Sequence, residues 1–204
     1  MVWWFLAGAI LAVSPTWRYD CFQNSALMQP FHTHPKRSAV TMLNDHNYLA
    51  DYQDANFLRT HVRRLMQSYQ HWIGHALVER TADTDPVEAV MHSEFAIASH
   101  RQSDDPKFNF ANLRALALFK MQAEQLIGLP SRYSAEPMLR ADRDKFLQQV
   151  SSHGFVQNYA GIRIAQDGSR FEIQGATVWN VFDPEHADLG VLGQAVIIRS
   201  VRPV

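Results

Sequence analysis

The chain has 204 residues, a formal net charge of −1 and 47% hydrophobic against 19% charged residues, enough apolar material for one real core and too little charge for a disordered tail. The near-zero charge excludes bulk nucleic-acid binding, which needs a basic surplus. A single cysteine, Cys21, excludes an internal disulfide or a Cys-rich zinc site, and points to a reducing compartment, the cytoplasm.

Residues 1–41 differ from the rest. The apolar run from Val2 to Val13 is shorter than the roughly 20 residues that span a bilayer. It has the length of a signal-peptide core, yet no Lys or Arg precedes Arg18. Three readings compete: an export signal, an apolar anchor, or a gene-start artefact with Met42 as the working start. The third is expected. Pro30 and Pro35 break any helix here, and His32 and His34 read as loop histidines.

Beyond Met42 the pattern is regular. Leu58, Val62, Leu65, Tyr69, Trp72 and Ala76 recur at alternating spacings of four and three, which predicts an amphipathic helix over 57–80. Its stripe either packs on the protein's own sheet, the favoured reading, or joins two copies in a homodimer. His71 and His75 have zinc-pair spacing, but Trp72 stands where a metalloprotease needs Glu. Asp85 or Thr84 caps a short helix that begins at Pro86. Two strands follow, Phe95 to His100 and Lys107 to Asn112, then a helix through Phe119 and a short one over 122–128. A further helix is expected over 137–152, stopped by Gly154. The last fifty residues read as strands: Phe155 to Ala165 and Ser169 to Phe182 around the Asp167–Gly168 hairpin turn, then Val191 to Val201.

This order is α+β, an antiparallel five-stranded sheet with helices on one face. It divides into an N-terminal helical extension over 42–91 and a sheet domain over 92–204. The order is similar to the PAS fold. The stretches FAIASHRQSDDPKFNFANLRALALF, LPSRYSAEP, NYAGIRI, GSRFEIQGATVWNVFD and GQA narrow it further. Together they resemble the MEKHLA domain, a PAS-like family, over roughly residues 57–200. That family closes plant class III homeodomain–leucine zipper proteins and also occurs alone in bacteria and algae. The resemblance implies a module that binds a small molecule or a protein partner and passes on a conformational change. The plant domain's role in dimerisation is also implied. With no homeodomain, zipper or lipid-binding segment here, DNA binding is not carried over.

Four residues are the expected polar lining of a pocket between sheet and middle helices: Arg132, Asn158, Asn180 and Gln194. An amide carries both a donor and an acceptor, and Asn158, Asn180 and Gln194 resemble the amide trio of flavin-binding light-sensing PAS domains. Those also need a Cys in the middle helices, and LPSRYSAEP has none, so adduct photochemistry is excluded. The competing reading has the amides satisfying one another and the backbone. Arg132 could clamp a carboxylate or pair with Glu136. Arg163 shares a strand face with Phe155 and Tyr159 by alternation, its direction undecided. His153 sits where haem-binding PAS domains carry a ligand, but at a helix end that suits the dipole. His100 with Asp104 and Asp105 suggests acid–base chemistry, though the acids also read as a turn.

No cofactor is assigned, no metal site is expected, and no nucleophile–base spacing stands out, so an enzyme is not expected. The leading function is a stand-alone sensory or regulatory module for a small ligand or partner, away from membranes and nucleic acid. The alternatives are a ligand-free homodimerisation module and a small proton-transfer enzyme.

Overall fold

A computed structural model of the chain describes residues 46–135 and 149–204. The expectations for residues 1–41, His32, His34 and Cys21 among them, fall outside the described residues, as do Glu136 and most of the helix expected over 137–152. Residues 149–153 are helical.

The described chain opens on α1 (Tyr48–Gln53), capped by the Asn47 side chain on the Ala50 N–H. The amphipathic stripe becomes α2 (Ala55–Ile73), capped by the Asp54 carboxylate on the Phe57 N–H. α2 stops short of the expected Arg80. Gly74 takes the left-handed conformation (φ 86°) and donates its N–H to the Gln70 carbonyl, a favoured way to end a helix. His75 therefore lies beyond the cap, and the His71/His75 pair does not share a helix face. In α3 (Pro86–Met91), Asp85 accepts from the Val87 and Glu88 N–H groups with Pro86 in the first turn.

The sheet is built from β1 (Ala96–Arg101), β2 (Phe108–Ala111), β3 (Phe155–Ile164), β4 (Arg170–Phe182), β5 (Val191–Ile198) and β6 (Ser200–Pro203), in the antiparallel order β2-β1-β5-β4-β3. The single last strand expected over 191–201 is two. β5 runs along Thr177–Phe182 of β4, and β6 along Phe171–Gln174. Between these stretches β4 carries an extra residue opposite β3, with Gly175 at φ 60°. That bulge bends the strand, so one straight partner cannot follow its whole length.

Alternation gives the sheet two working faces. On one lies α2, where the Trp179 ring meets Tyr69 edge-on at 4.9 Å and its indole N–H reaches Ser68 Oγ at 3.1 Å. Trp72 donates to the Asn180 carbonyl at 2.9 Å. Val62, Leu65 and Tyr69, the heart of the stripe, are buried. The stripe thus packs on the protein's own sheet. On the other face lie α4 (Leu113–Phe119), α5 (Ala123–Leu126) and a 3-10 turn, Ser131–Ser134. One amide joins these layers. Asn112, fully buried, accepts from the Ile97 and Ala115 N–H groups, both at 2.9 Å. It donates to the Val90 and Phe95 carbonyls at 3.0 and 2.8 Å. All four hydrogen-bonding positions of the side chain are used, fixing β1, α3 and α4 together.

Candidate ligand cavity

The helical middle does not fill the second face of the sheet. A cavity of about 60 Å³ remains between them. Phe119 borders it from the helical side and Phe108, Ile173, Val178 and Val196 from the strands. Polar residues on its wall include His100, Ser131, Ser134, Tyr159, Arg163 and Gln194. Mostly apolar walls with a few convergent polar groups suit a small-molecule site.

A bulge in β3 decides which polar groups reach it. Pairing runs Val156 to Val178 and then Tyr159 to Ala176, so β3 carries one extra residue in between. Asn158 takes that irregularity at φ 58°, a left-handed conformation that Asn tolerates better than most residues. The inserted residue reverses the alternation. Phe155 consequently turns to the α2 side, its ring 6.3 Å from Trp72, while Tyr159 and Arg163 border the cavity. Phe155 and Arg163, expected on one face, are on opposite ones. Asn158 is exposed and does not join Asn180 and Gln194, so no three-amide set converges.

Asn180 and Gln194 do come together. Directly opposed across β4 and β5, they are 2% and 3% exposed. Gln194 Nε2 donates to Asn180 Oδ1 at 3.1 Å and to Ser151 Oγ at 3.0 Å, and Asn180 Nδ2 reaches the Ser151 carbonyl at 3.3 Å. The pair fastens the end of the preceding helical segment to the sheet. Gln194 also borders the cavity, whereas Asn180 is not part of its wall. Arg132 is off the wall as well. It pairs with Asp105 on the surface and lies over the Tyr133 ring at 4.7 Å, although its neighbours Ser131 and Ser134 face inward. Asp105 is thereby engaged by Arg132 and Asp104 is exposed, so His100 and the two acids form no working group. His153 is exposed, with Nδ1 3.0 Å from the Gln149 carbonyl.

A family model described as the MEKHLA domain matches residues 59–202, which include both layers and every residue of the cavity wall. The chain belongs to the MEKHLA domain family. Among curated proteins, none matches the sequence. Solved structures similar to this MEKHLA domain include a PAS domain from Colwellia psychrerythraea, at 16% identity and TM-score 0.47, covering 57% of this chain and 92% of that one. A fungal LOV domain photoreceptor is similar at 12% identity and TM-score 0.45, over 69% and 91%. The PAS domain of a LuxR-family transcriptional regulator from Burkholderia thailandensis, in complex with ethanol, is similar at 16% identity and TM-score 0.44, over 59% and 98%.

On its opposite face the MEKHLA domain holds a polar chain and an ion cluster. Buried His61 stacks on Phe57 and places Nε2 2.8 Å from Ser99 Oγ. Ser99 gives its hydroxyl proton to Asn109 Oδ1 at 2.8 Å. The serine therefore accepts from His61, which must carry its proton on Nε2. That direction leaves Ser99 no base to activate it as a nucleophile. Burial, then the charges of Arg64 and Arg101, lower the His61 pKa from 6.5 to about 3. For buried Asp183, burial alone would raise the pKa. Hydrogen bonds from Arg64, the Glu185 N–H and His186 outweigh it and hold the carboxyl at about 2. Asp183, Glu185 and His186 bring ligand atoms within 4.8 Å of one another, but Arg64 holds Asp183 at 2.8 Å and Arg63 holds Glu185 at 2.5 Å. Among the described residues, no helix is long and apolar enough to cross a membrane.

Proposed function

We propose that this MEKHLA domain is a sensory or regulatory module that takes a small molecule into the cavity between its sheet and middle helices. The observation that carries the reading is the wall itself. Buried His100, Arg163 and Gln194, from β1, β3 and β5, border one apolar space. A space of this kind is where PAS-like sandwiches would couple a ligand to their helical layer, because a molecule there touches strands and helices at once. The stripe of α2 is covered by its own sheet, which favours this reading over a ligand-free dimer zipper.

The test is to purify the full chain without additives, denature it and identify released small molecules by mass spectrometry, beside a Val196→Phe variant that fills the space. A stoichiometric molecule released by the parent and lost from the folded variant supports the proposal. No released molecule, with a variant that simply melts higher, as cavity filling alone produces, counts against it.

A further inference from the structure

One charge on the cavity wall has no counter-charge among the described residues. Arg163 is 8% exposed. Nη1 donates to the Ile162 carbonyl at 2.9 Å and Nη2 to the Tyr159 hydroxyl at 2.6 Å. The guanidinium also lies 5.4 Å from the Tyr159 ring centroid. No carboxylate pairs with it among the described residues. Three arginines that water reaches more readily are paired. Arg64, Arg132 and Arg202 have side chains 25%, 38% and 67% exposed, and each has an acid: Asp183, Asp105 and Glu172. Arg163, the buried arginine among the described residues, has no such acid.

A buried lysine or histidine would answer this by giving up its proton. A guanidinium keeps its charge at any working pH, and a buried charge calls for a partner. Two of its five N–H bonds are accounted for, leaving Nε–H and one proton on each Nη. These form a planar fork of the kind that matches a carboxylate.

The fork is also built in place. Tyr159, Gly161 and Arg163 follow one another on the cavity face of β3. A Cβ on Gly161 would stand 2.8 Å from the Tyr159 hydroxyl and 3.3 Å from Arg163 Nη1. The missing side chain is what lets the phenol and the guanidinium meet.

We infer that the cavity takes a small monocarboxylate, its carboxylate on the Arg163 fork and its apolar body against Phe119, Ile173 and Val178. The inference rests on the ligand reading above and names its chemistry. One negative charge balances one guanidinium, whereas a phosphate dianion would leave a net charge buried in an apolar wall. The size follows from the volume. A water needs about 10–15 Å³ measured in this way, so 60 Å³ admits an acid of about two to four carbons.

Butyrate and butyramide have the same shape and differ in charge, which makes them the probes. Calorimetric titration and thermal melting on the full chain should show butyrate binding at least tenfold tighter than butyramide. Arg163→Met should abolish that preference and, without ligand, melt no lower than the parent. Arg163→Lys, which keeps the charge and loses the fork, should fold and bind butyrate at least tenfold more weakly; it carries the test should the Met variant not fold. Equal binding of the two probes overturns the carboxylate inference and leaves the ligand reading standing. Binding of neither, with a different molecule released from the purified protein, does the same. A ligand-free Arg163→Met that melts far below the parent, with no butyrate response in the parent, makes the guanidinium structural and ends the inference.

Discussion

His61 supplies a prediction whose size follows from its surroundings. In the fold its ring is buried against Phe57 and Phe110, and its pKa is lowered from the ordinary 6.5 to about 3. The unfolded chain therefore binds a proton between these values that the folded protein refuses. A group with a lowered folded pKa contributes stability above its unfolded pKa and loses it as pH falls towards the folded value. At about 1.4 kcal/mol per pH unit, the loss from this one residue between neutral pH and pH 5 is about 2 kcal/mol. His61→Gln keeps a donor for Ser99 and cannot titrate. Urea denaturation at pH 7.5, 6.5, 5.5 and 5.0 should give a parent whose stability falls more steeply than the variant's, the two curves diverging by about 2 kcal/mol at pH 5. Parallel curves would refute the reasoning, because they would mean that His61 gains its proton in the folded state.

Three further outcomes are expected. Asn112→Ala leaves two buried N–H groups and two carbonyls without their partner and should destabilise by about 3 kcal/mol or more by chemical denaturation; a loss under 1 kcal/mol would show that water replaces the amide. Leu65→Ala should cost about 2–5 kcal/mol, as core truncations do, with molecular mass by light scattering unchanged, whereas a fall in mass with intact stability would make α2 a subunit interface. Asp183, with its carboxyl held at about 2, stabilises the fold above the ordinary carboxylate pKa near 4 and loses that contribution as pH falls towards 2, so Asp183→Asn should flatten the acid limb of the parent's pH–stability curve in that window.

The elements were largely legible because each carried its own local signal. The 3-4 spacing from Leu58 to Trp72 marked α2, Asp85–Pro86 marked the start of α3, and Asp167–Gly168 set the hairpin between β3 and β4. The site was less so, and β3 shows why. Its face assignment depends on counting by two, and an extra residue around Asn158 makes the count fail midway. Nothing local marks that insertion, since Asn at positive φ is permitted rather than required. Alternation alone thereby puts Asn158 with Asn180 and Gln194, which do meet, and leaves Arg163 undirected. The signal that would have directed it is Tyr159–Gly161–Arg163, two large polar side chains separated by a residue with none. Arg132 illustrates a different limit: its loop does reach the cavity, but through Ser131 and Ser134, because a long side chain pairs with whatever acid its tip can reach, here Asp105, which is distant in sequence.

Phe171 stands on one rung of the sheet with Arg163 on its β3 side and Pro203 on its β6 side. At about 4.8 Å per strand, the backbone of the chain's last strand runs roughly 10 Å from that of Arg163. A reporter dye on a cysteine introduced at Val204, with Cys21 replaced by serine, would sit one residue beyond this rung, about two strand spacings from the backbone of Arg163. The proposed occupancy at Arg163 could then be followed from Val204 in real time, without labelling any residue of the wall.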